Sequence, residues 1–306
     1  MAKSKLGDKP SPIQRNAVVA RNIVVGASVV IGAIIFLVGQ SVALYRDTHY
    51  AKTQQDYKKL QELSVDERLE YFTSVLGEPT YQDRSGILTE YTYVAPNYFV
   101  QAVTNQNKVV MYSVTIRSAN FHPRLAIPGH SIHQRKTMFI TLGKTTFAQA
   151  QRVMGVDPWG VQGATGLHDY GYSEIYYLGN PNNYKDTVFT NNEAAIGTSQ
   201  AFNQGYSAVF NMLSPYNGNV KFIDSFLLGP SSFNVAQSNQ NSQIVTKYLS
   251  DGAIRAGRDS LVINTYSETS PTDNELAGIE KLPLVTPFGP NYDEVRNLPG
   301  YFSPGN

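Results

Sequence analysis

Four histidines fall in the middle of the chain: His122, His130, His133 and His168, the last followed by Asp169. Neutral imidazoles with a nearby carboxylate are the donor set of a divalent transition metal. His130 and His133 are three apart, a spacing that shares one face of a helix. Their segment, HPRLAIPGHSIH, is interrupted by Pro123, Pro128 and Gly129, which makes it a loop. No H-E-x-x-H pattern and no cysteine supports them. His130, His133 and His168 are the metal candidates, and the plainer expectation is exposed loop histidines with no bound metal.

GKTT, Gly143–Thr146, has the residue types that end a phosphate-binding loop. The full pattern requires a glycine five positions earlier, where Met138 stands, so a helix cap is the better reading. GHSIH is not a nucleophile elbow, and the body of the chain carries no S-x-x-K serine. Asp157, Asp169 and Glu174 could pair for glycoside hydrolysis, but 24 acidic residues supply such pairs by chance. No catalytic residue and no cofactor is assigned from the sequence.

The richest concentration of binding side chains is aromatic. Trp159, Tyr170, Tyr172, Tyr176, Tyr177 and Tyr184 lie between DPWG and NPNNY. Aromatic faces beside Asn and Asp suit stacking on sugars or anchoring a partner protein. Tyrosine is also a strand former whose alternate copies pack inward. As a functional surface, this cluster is the expected partner- or glycan-binding site.

These residues must be held somewhere, and the loudest signal for where is NIVVGASVVIGAIIFLVGQSVALYRD. Ile23 to Tyr45 is about 23 residues, or about 35 Å of helix at 1.5 Å per residue, enough to cross a hydrocarbon core of about 30 Å. It shows no polar face of the kind a core helix carries. Residues 22–45 are therefore expected to be a transmembrane helix in contact with the lipid bilayer. Ser41-Val42-Ala43 also has the form of a signal-peptide cut site, but the apolar run exceeds a usual signal core. Lys3, Lys5, Lys9, Arg15 and Arg21 precede it, which orients the N-terminus to the cytoplasm. Ser28 with Gly32, and Gly39 with Ala43, have the four-residue spacing that lets membrane helices touch, so a homo-oligomer is a further expectation.

Charge agrees with that layout. Residues 1–21 hold five basic and one acidic side chain, +4, and the rest holds 20 basic and 23 acidic, −3. A slightly acidic body has no electrostatic footprint for nucleic acid. Charged residues are 16% and hydrophobic residues 42%, which gives a neutral, hydrogen-bonding surface around a sizeable core. There is no cysteine, hence no disulfide and no lipid-attachment site, and no Asn-x-Ser/Thr sequon.

Beyond a polar stalk over residues 46–63, SVDERLEYFTSVLGEP has the form of a capped helix. Ser64 and Glu67 match the capping box, Leu69, Phe72, Val75 and Leu76 the apolar stripe, and Gly77 and Pro79 the stop. Strands are expected over ILTEYTYVA, YFVQAVT and KVVMYSVTIR, the last two joined by a turn at Asn105-Gln106-Asn107. The same order then recurs. Thr145 or Thr146 caps a helix ending at Gly155 and Pro158, followed by strands YSEIYYL and YKDTVFT and a turn at Asn191-Asn192. Gly77 corresponds to Gly155 and Tyr98 to Tyr184, a repeat of about 80 residues. Later segments read as a hairpin about Asn217-Gly218, a loop over Ser231–Gln243, a short helix ending at Gly252, a strand SLVINTY and a proline-rich tail from Pro271.

A helix and a strand meander each have one apolar face, and packing them together gives a two-layer α+β unit. Leu76-Gly77-Glu78-Pro79 with Tyr91 and Tyr93, then Gly155 and Pro158 with Tyr176 and Tyr177, resemble the β-lactamase-inhibitor-protein-like fold of small outer-membrane-assembly lipoproteins, which occurs in tandem. The lipid-bearing cysteine of those lipoproteins is missing here. The whole chain is similar to a family of single-span bacterial envelope proteins, a resemblance that implies location rather than activity.

The expectation is an α+β protein: a cytoplasmic basic segment (1–21), a transmembrane helix (22–45), a stalk (46–63), two related helix-plus-antiparallel-sheet units (64–138 and 139–230) and a β-rich C-terminal extension (231–306). Its expected place is the bacterial cytoplasmic membrane, with the main body periplasmic or extracellular. The expected function is non-catalytic binding or scaffolding of an envelope protein partner. The alternative is recognition or hydrolysis of a cell-wall or surface glycan.

Overall fold

The computed structural model describes residues 34–38, 40, 50–127, 138–158, 160–165, 170–177, 186–192, 246 and 249–270. Contacts divide the chain into two compact units, Met1–Asp56 and Tyr57–Asn306. In the first, residues 34–38, 40 and 50–56 are helical, and Ile34 through Val38 are all exposed. Among the described residues no helix is long and apolar enough to cross a membrane. Most of the expected span, with Ser28, Gly32, Gly39 and Ala43, lies outside the described residues.

The second unit is mixed α and β around one large antiparallel sheet. After helical residues 57–61 come α1 (Leu69–Leu76), β1 (Tyr81–Ser85), β2 (Leu88–Val94), β3 (Tyr98–Asn105) and β4 (Lys108–Ile116). A two-stranded sheet of β5 (Arg124–Ile127) and β6 (Met138–Thr141) follows, then α2 (Phe147–Met154). β7 (Gly160–Thr165), β8 (Tyr170–Tyr177), β9 (Asp186–Asn192), α3 (Gly252–Ser260) and β10 (Thr265–Thr269) complete the described elements.

The eight strands lie in the order β1-β2-β3-β4-β10-β9-β8-β7. From either edge inward the sheet is a four-strand meander, and the last strands of the two meanders, β4 and β10, pair antiparallel at the centre. β10, which the sequence places in a C-terminal extension, is thus one of the two central strands.

Side chains alternate across the sheet. One face presents Val100, Tyr112, Val114, Tyr266, Phe189, Tyr172 and Tyr176, all buried in one core. The helices lie on it. Phe72 of α1 meets Tyr112 edge-on at 5.7 Å, and Phe147 of α2 meets Tyr172 at 4.8 Å. Burying a phenylalanine of this kind stabilises by about 2–3 kcal/mol. The opposite face is buried too, yet largely polar. Thr115 pairs with Thr265 at 2.9 Å and Ser173 with Thr190 at 2.8 Å, while Gln101 donates to Glu90 at 2.8 Å.

Local predictions hold or fail for identifiable reasons. α2 is capped by Thr146, whose hydroxyl accepts from the Gln149 N–H while Gln149 accepts from the Thr146 N–H. It ends at Gly155 in the left-handed conformation, φ 68°. α1 begins only at Leu69, with no side-chain cap, and the expected Ser64 box does not form. Backbone bonds from Asp66 N–H to Val109, from Val109 N–H to Glu67 and from Leu69 N–H to Asn107 hold residues 66–69 against β4, so the chain turns helical only after them. Asn191 and Asn192 are buried strand residues rather than a turn. Asn191 donates to the Val262 carbonyl, and the Asn192 N–H donates to the Asn264 side chain. Residues 246, 249 and 250 are helical, as expected of a short helix here, but the helix stops before Asp251, and Gly252 opens α3. Of the expected strand SLVINTY, Ser260 is the last residue of α3, Val262 makes a single bridge to Thr146 at the cap of α2, and the chain joins the sheet only at Thr265. The expected hairpin about Asn217-Gly218, the Ser231–Gln243 loop and the tail from Pro271 lie outside the described residues.

Candidate functional site

The second half of the sheet is organised around one buried charge. Glu174 of β8 is 0% exposed, and Arg258 of α3 reaches it with Nε and, at 2.9 Å, with Nη2. Two tyrosines on the same strand face complete its shell. Tyr172 donates to one carboxylate oxygen at 2.6 Å and Tyr176 to the other at 2.8 Å. Burial alone would lower the guanidinium pKa of Arg258, but its hydrogen bonds to Glu174 and that negative charge more than offset this and hold it above its usual value. Burial, then the charge of Glu174, pushes the Tyr176 phenol well up, so it remains a donor.

The tripeptide Tyr172-Ser173-Glu174 recurs as Tyr266-Ser267-Glu268 in β10, where Tyr266 donates to Glu268 at 2.5 Å. Residues i and i+2 of a strand share a face, so each tyrosine reaches its own glutamate. Burial and the Glu268 charge raise Tyr266 and Tyr112 well above the ordinary phenol range.

Arg258 is also the floor of an open groove of about 720 Å³ between α2 and α3. Gln151 and Arg152, with Ala148 and Gly155, follow helical spacing along α2, and Arg255, Arg258 and Asp259 do so along α3. Asp157 closes one end and accepts from Gln151 at 2.5 Å. Arg152, Arg255, Asp157 and Asp259 are exposed. The groove therefore offers charged groups of both signs on a base braced by a closed ion pair.

Tyr172 and Tyr176 are not surface residues. At 1% and 0% exposed they belong to the core and spend their hydroxyls on Glu174. The backbones of Tyr170 and Tyr177 lie in β8, while Trp159 and Tyr184 lie outside the described residues. The structure thus brings no two of the six aromatics together as an open surface among the described residues. His130, His133 and His168 lie outside the described residues. Among the described residues no cluster of His, Cys, Asp and Glu could hold a metal. His122 is half-buried, its ring hydrogen-bonded to the Leu142 carbonyl at 3.1 Å. Glu174, one of the chance carboxylates, is closed off in its ion pair, and Asp157 lines the groove. Sequence reasoning missed Arg152, Arg255, Arg258 and Asp259. The available signal was the three-residue spacing of Arg255 and Arg258 in GAIRAGRDS, once that segment is read as a helix.

No family model matches the sequence, and no curated protein matches it. Among solved structures, a cysteine-rich secretory protein from Staphylococcus aureus subsp. aureus Mu50 is 11% identical, with a TM-score of 0.24 over 67% of this chain and 90% of that one. An extracellular protein containing an SCP domain from Bacillus anthracis str. Ames is 8% identical, with a TM-score of 0.24 over 68% and 94%. Likenesses this distant carry no argument.

Proposed function

We propose that the chain is a single-pass envelope protein whose body binds an envelope protein partner without catalysis. Residues 22–45 anchor it in the cytoplasmic membrane, with the basic segment 1–21 inside and the body outside. The mirrored strand order, two meanders meeting at β4 and β10, supports reading the body as two related helix-plus-sheet units.

The observation that carries the binding reading is the groove between α2 and α3. Exposed Arg152, Arg255, Asp157 and Asp259 stand over a base that the buried Arg258–Glu174 pair keeps from shifting. Charges of both signs on a rigid support fit another protein's surface better than a neutral sugar. The aromatic faces that would favour a glycan, Tyr172 and Tyr176, are turned into the core. In-cell photocrosslinking from position 152 tests this. Capture of a protein neighbour, lost when the body is released from its anchor, is the expected result. Co-purification of wall material with no protein adduct would overturn it in favour of the glycan.

A further inference from the structure

We propose that the groove between α2 and α3 takes a peptide segment of mixed charge, seating a carboxylate against Arg152, Arg255 and Arg258 and an amine against Asp157 or Asp259. This rests on the binding reading above and names the chemistry of the partner.

Arg258 is 3% exposed, and its exposed remainder lines the groove. Glu174 engages Nε and Nη2, so Nη1 is the nitrogen left to a ligand, without a protein acceptor among the described residues. Arg255 donates Nη2 to the Ser250 carbonyl at 2.7 Å, which orients its guanidinium, and Arg152 faces it from α2 without a partner among the described residues. A guanidinium matches a carboxylate with two parallel hydrogen bonds, so three of them around one groove form an anion seat.

The acids decide the class of ligand. Three cations, Arg152, Arg255 and Arg258, are balanced by Asp157, Asp259 and, beneath them, Glu174. A groove without net charge does not draw a polyanion, which would meet Asp157 and Asp259 at the rim. A segment carrying both an acid and an amine satisfies both signs. The volume, about 720 Å³, lies within the range of about 300–1,000 Å³ that encloses small ligands.

The test uses the full chain in detergent micelles and fluorescent hexapeptides of three kinds: alternating Glu and Lys, all Glu, and Gly-Ser only, with polyphosphate as competitor. Anisotropy is expected to show the Glu-Lys peptide binding about ten-fold more tightly than the other two. Arg152→Gln combined with Arg255→Gln is expected to weaken it by about ten-fold or more, as loss of charge-assisted hydrogen bonds does. Both positions are exposed, so thermal unfolding of the double variant should match the parent. Equal binding of all three peptides, or an unaffected double variant, overturns the assignment. Tighter binding of the all-Glu peptide or displacement by polyphosphate overturns it in favour of a polyanion site. Photocrosslinkers at position 152 and at exposed Ile87, in the β1–β2 turn, separate the two levels of inference. A protein adduct from 87 but not 152 leaves the binding reading standing and removes the groove. Adducts from neither remove both.

Discussion

Arg258 of α3 and Glu174 of β8, 84 residues apart in sequence, form a side-on ion pair in which neither side chain is more than 3% exposed. It is the one charged contact that ties α3 to the sheet among the described residues, and the tyrosine hydroxyls of 172 and 176 leave its carboxylate fully served.

Breaking that pair from one side strands a charge in the core. Glu174→Gln or Arg258→Met is expected to lower stability by about 3–5 kcal/mol, and Glu174→Leu with Arg258→Met to recover only part of it, because the Tyr172 and Tyr176 hydroxyls lose the carboxylate they donate to. Urea midpoints of the four proteins check this. A single-variant cost under about 1 kcal/mol would contradict the closed geometry.

Thr146 closes α2 with a reciprocal cap. Thr146→Ala is expected to cost about 1 kcal/mol, and Thr146→Ser to cost little, by the same denaturation measurement. If alanine proves neutral, the Gln149 interaction contributes nothing to the helix start.

The β3–β4 turn places Gln106 and Asn107 at φ 47° and 72°, the left-handed pair of a tight hairpin. Asn107 also donates to Glu70 of α1 at 2.6 Å. Asn107→Ala should cost about 1–2 kcal/mol, because alanine tolerates that φ poorly. Asn107→Gly keeps the turn and loses only the exposed Glu70 contact, so it should be the milder change.

His122 is held below its ordinary value of 6.5 by burial, against its hydrogen bond to the Leu142 carbonyl. The unfolded chain therefore takes up the proton first as pH falls. Stability from this residue is present above about pH 6.5 and is lost as pH drops through the lowered native value. His122→Gln should flatten that part of a stability–pH curve. An unchanged curve would assign the acid sensitivity to other groups.

Helix α2, its cap and its glycine stop were legible because each depends on neighbours within eight residues. So were β2, β3 and β4, where β-branched and aromatic residues alternate. What stayed hidden was long-range. Ser64 and Glu67 satisfy the local rule for a cap, but backbone pairing with Val109 and Asn107 overrides it. β1, YQDRS, is an edge strand exposed at Tyr81, Gln82, Asp83 and Arg84, with no apolar alternation to reveal it. α3 was missed because its buried positions, Ile254, Gly257 and Arg258, include a glycine and an arginine where helical periodicity calls for apolar residues. The groove went unseen for the same reason, since one of its two walls, with Arg255, Arg258 and Asp259, belongs to that helix. That alternate tyrosines of β8 pack inward was legible from strand alternation, and Tyr172 and Tyr176 do so; the buried Glu174–Arg258 pair that takes their hydroxyls was not.

The proposed orientation across the membrane is open to a direct check, because the chain has no cysteine of its own. Ser74→Cys, at an exposed position of α1, should react with an impermeant maleimide on intact spheroplasts. Lys5→Cys should react only after lysis. The reverse pattern would place the body in the cytoplasm.

The seam between β4 and β10 joins residues 150 positions apart, as Thr115 and Thr265 show. At about 5–20 residues per second of synthesis, β4 leaves the ribosome roughly 8–30 s before its partner exists. During that interval the first meander ends in a bare strand edge that could pair with any other chain. The order of manufacture, rather than the finished sheet, makes this seam the step at which a nascent copy most needs shielding from its neighbours.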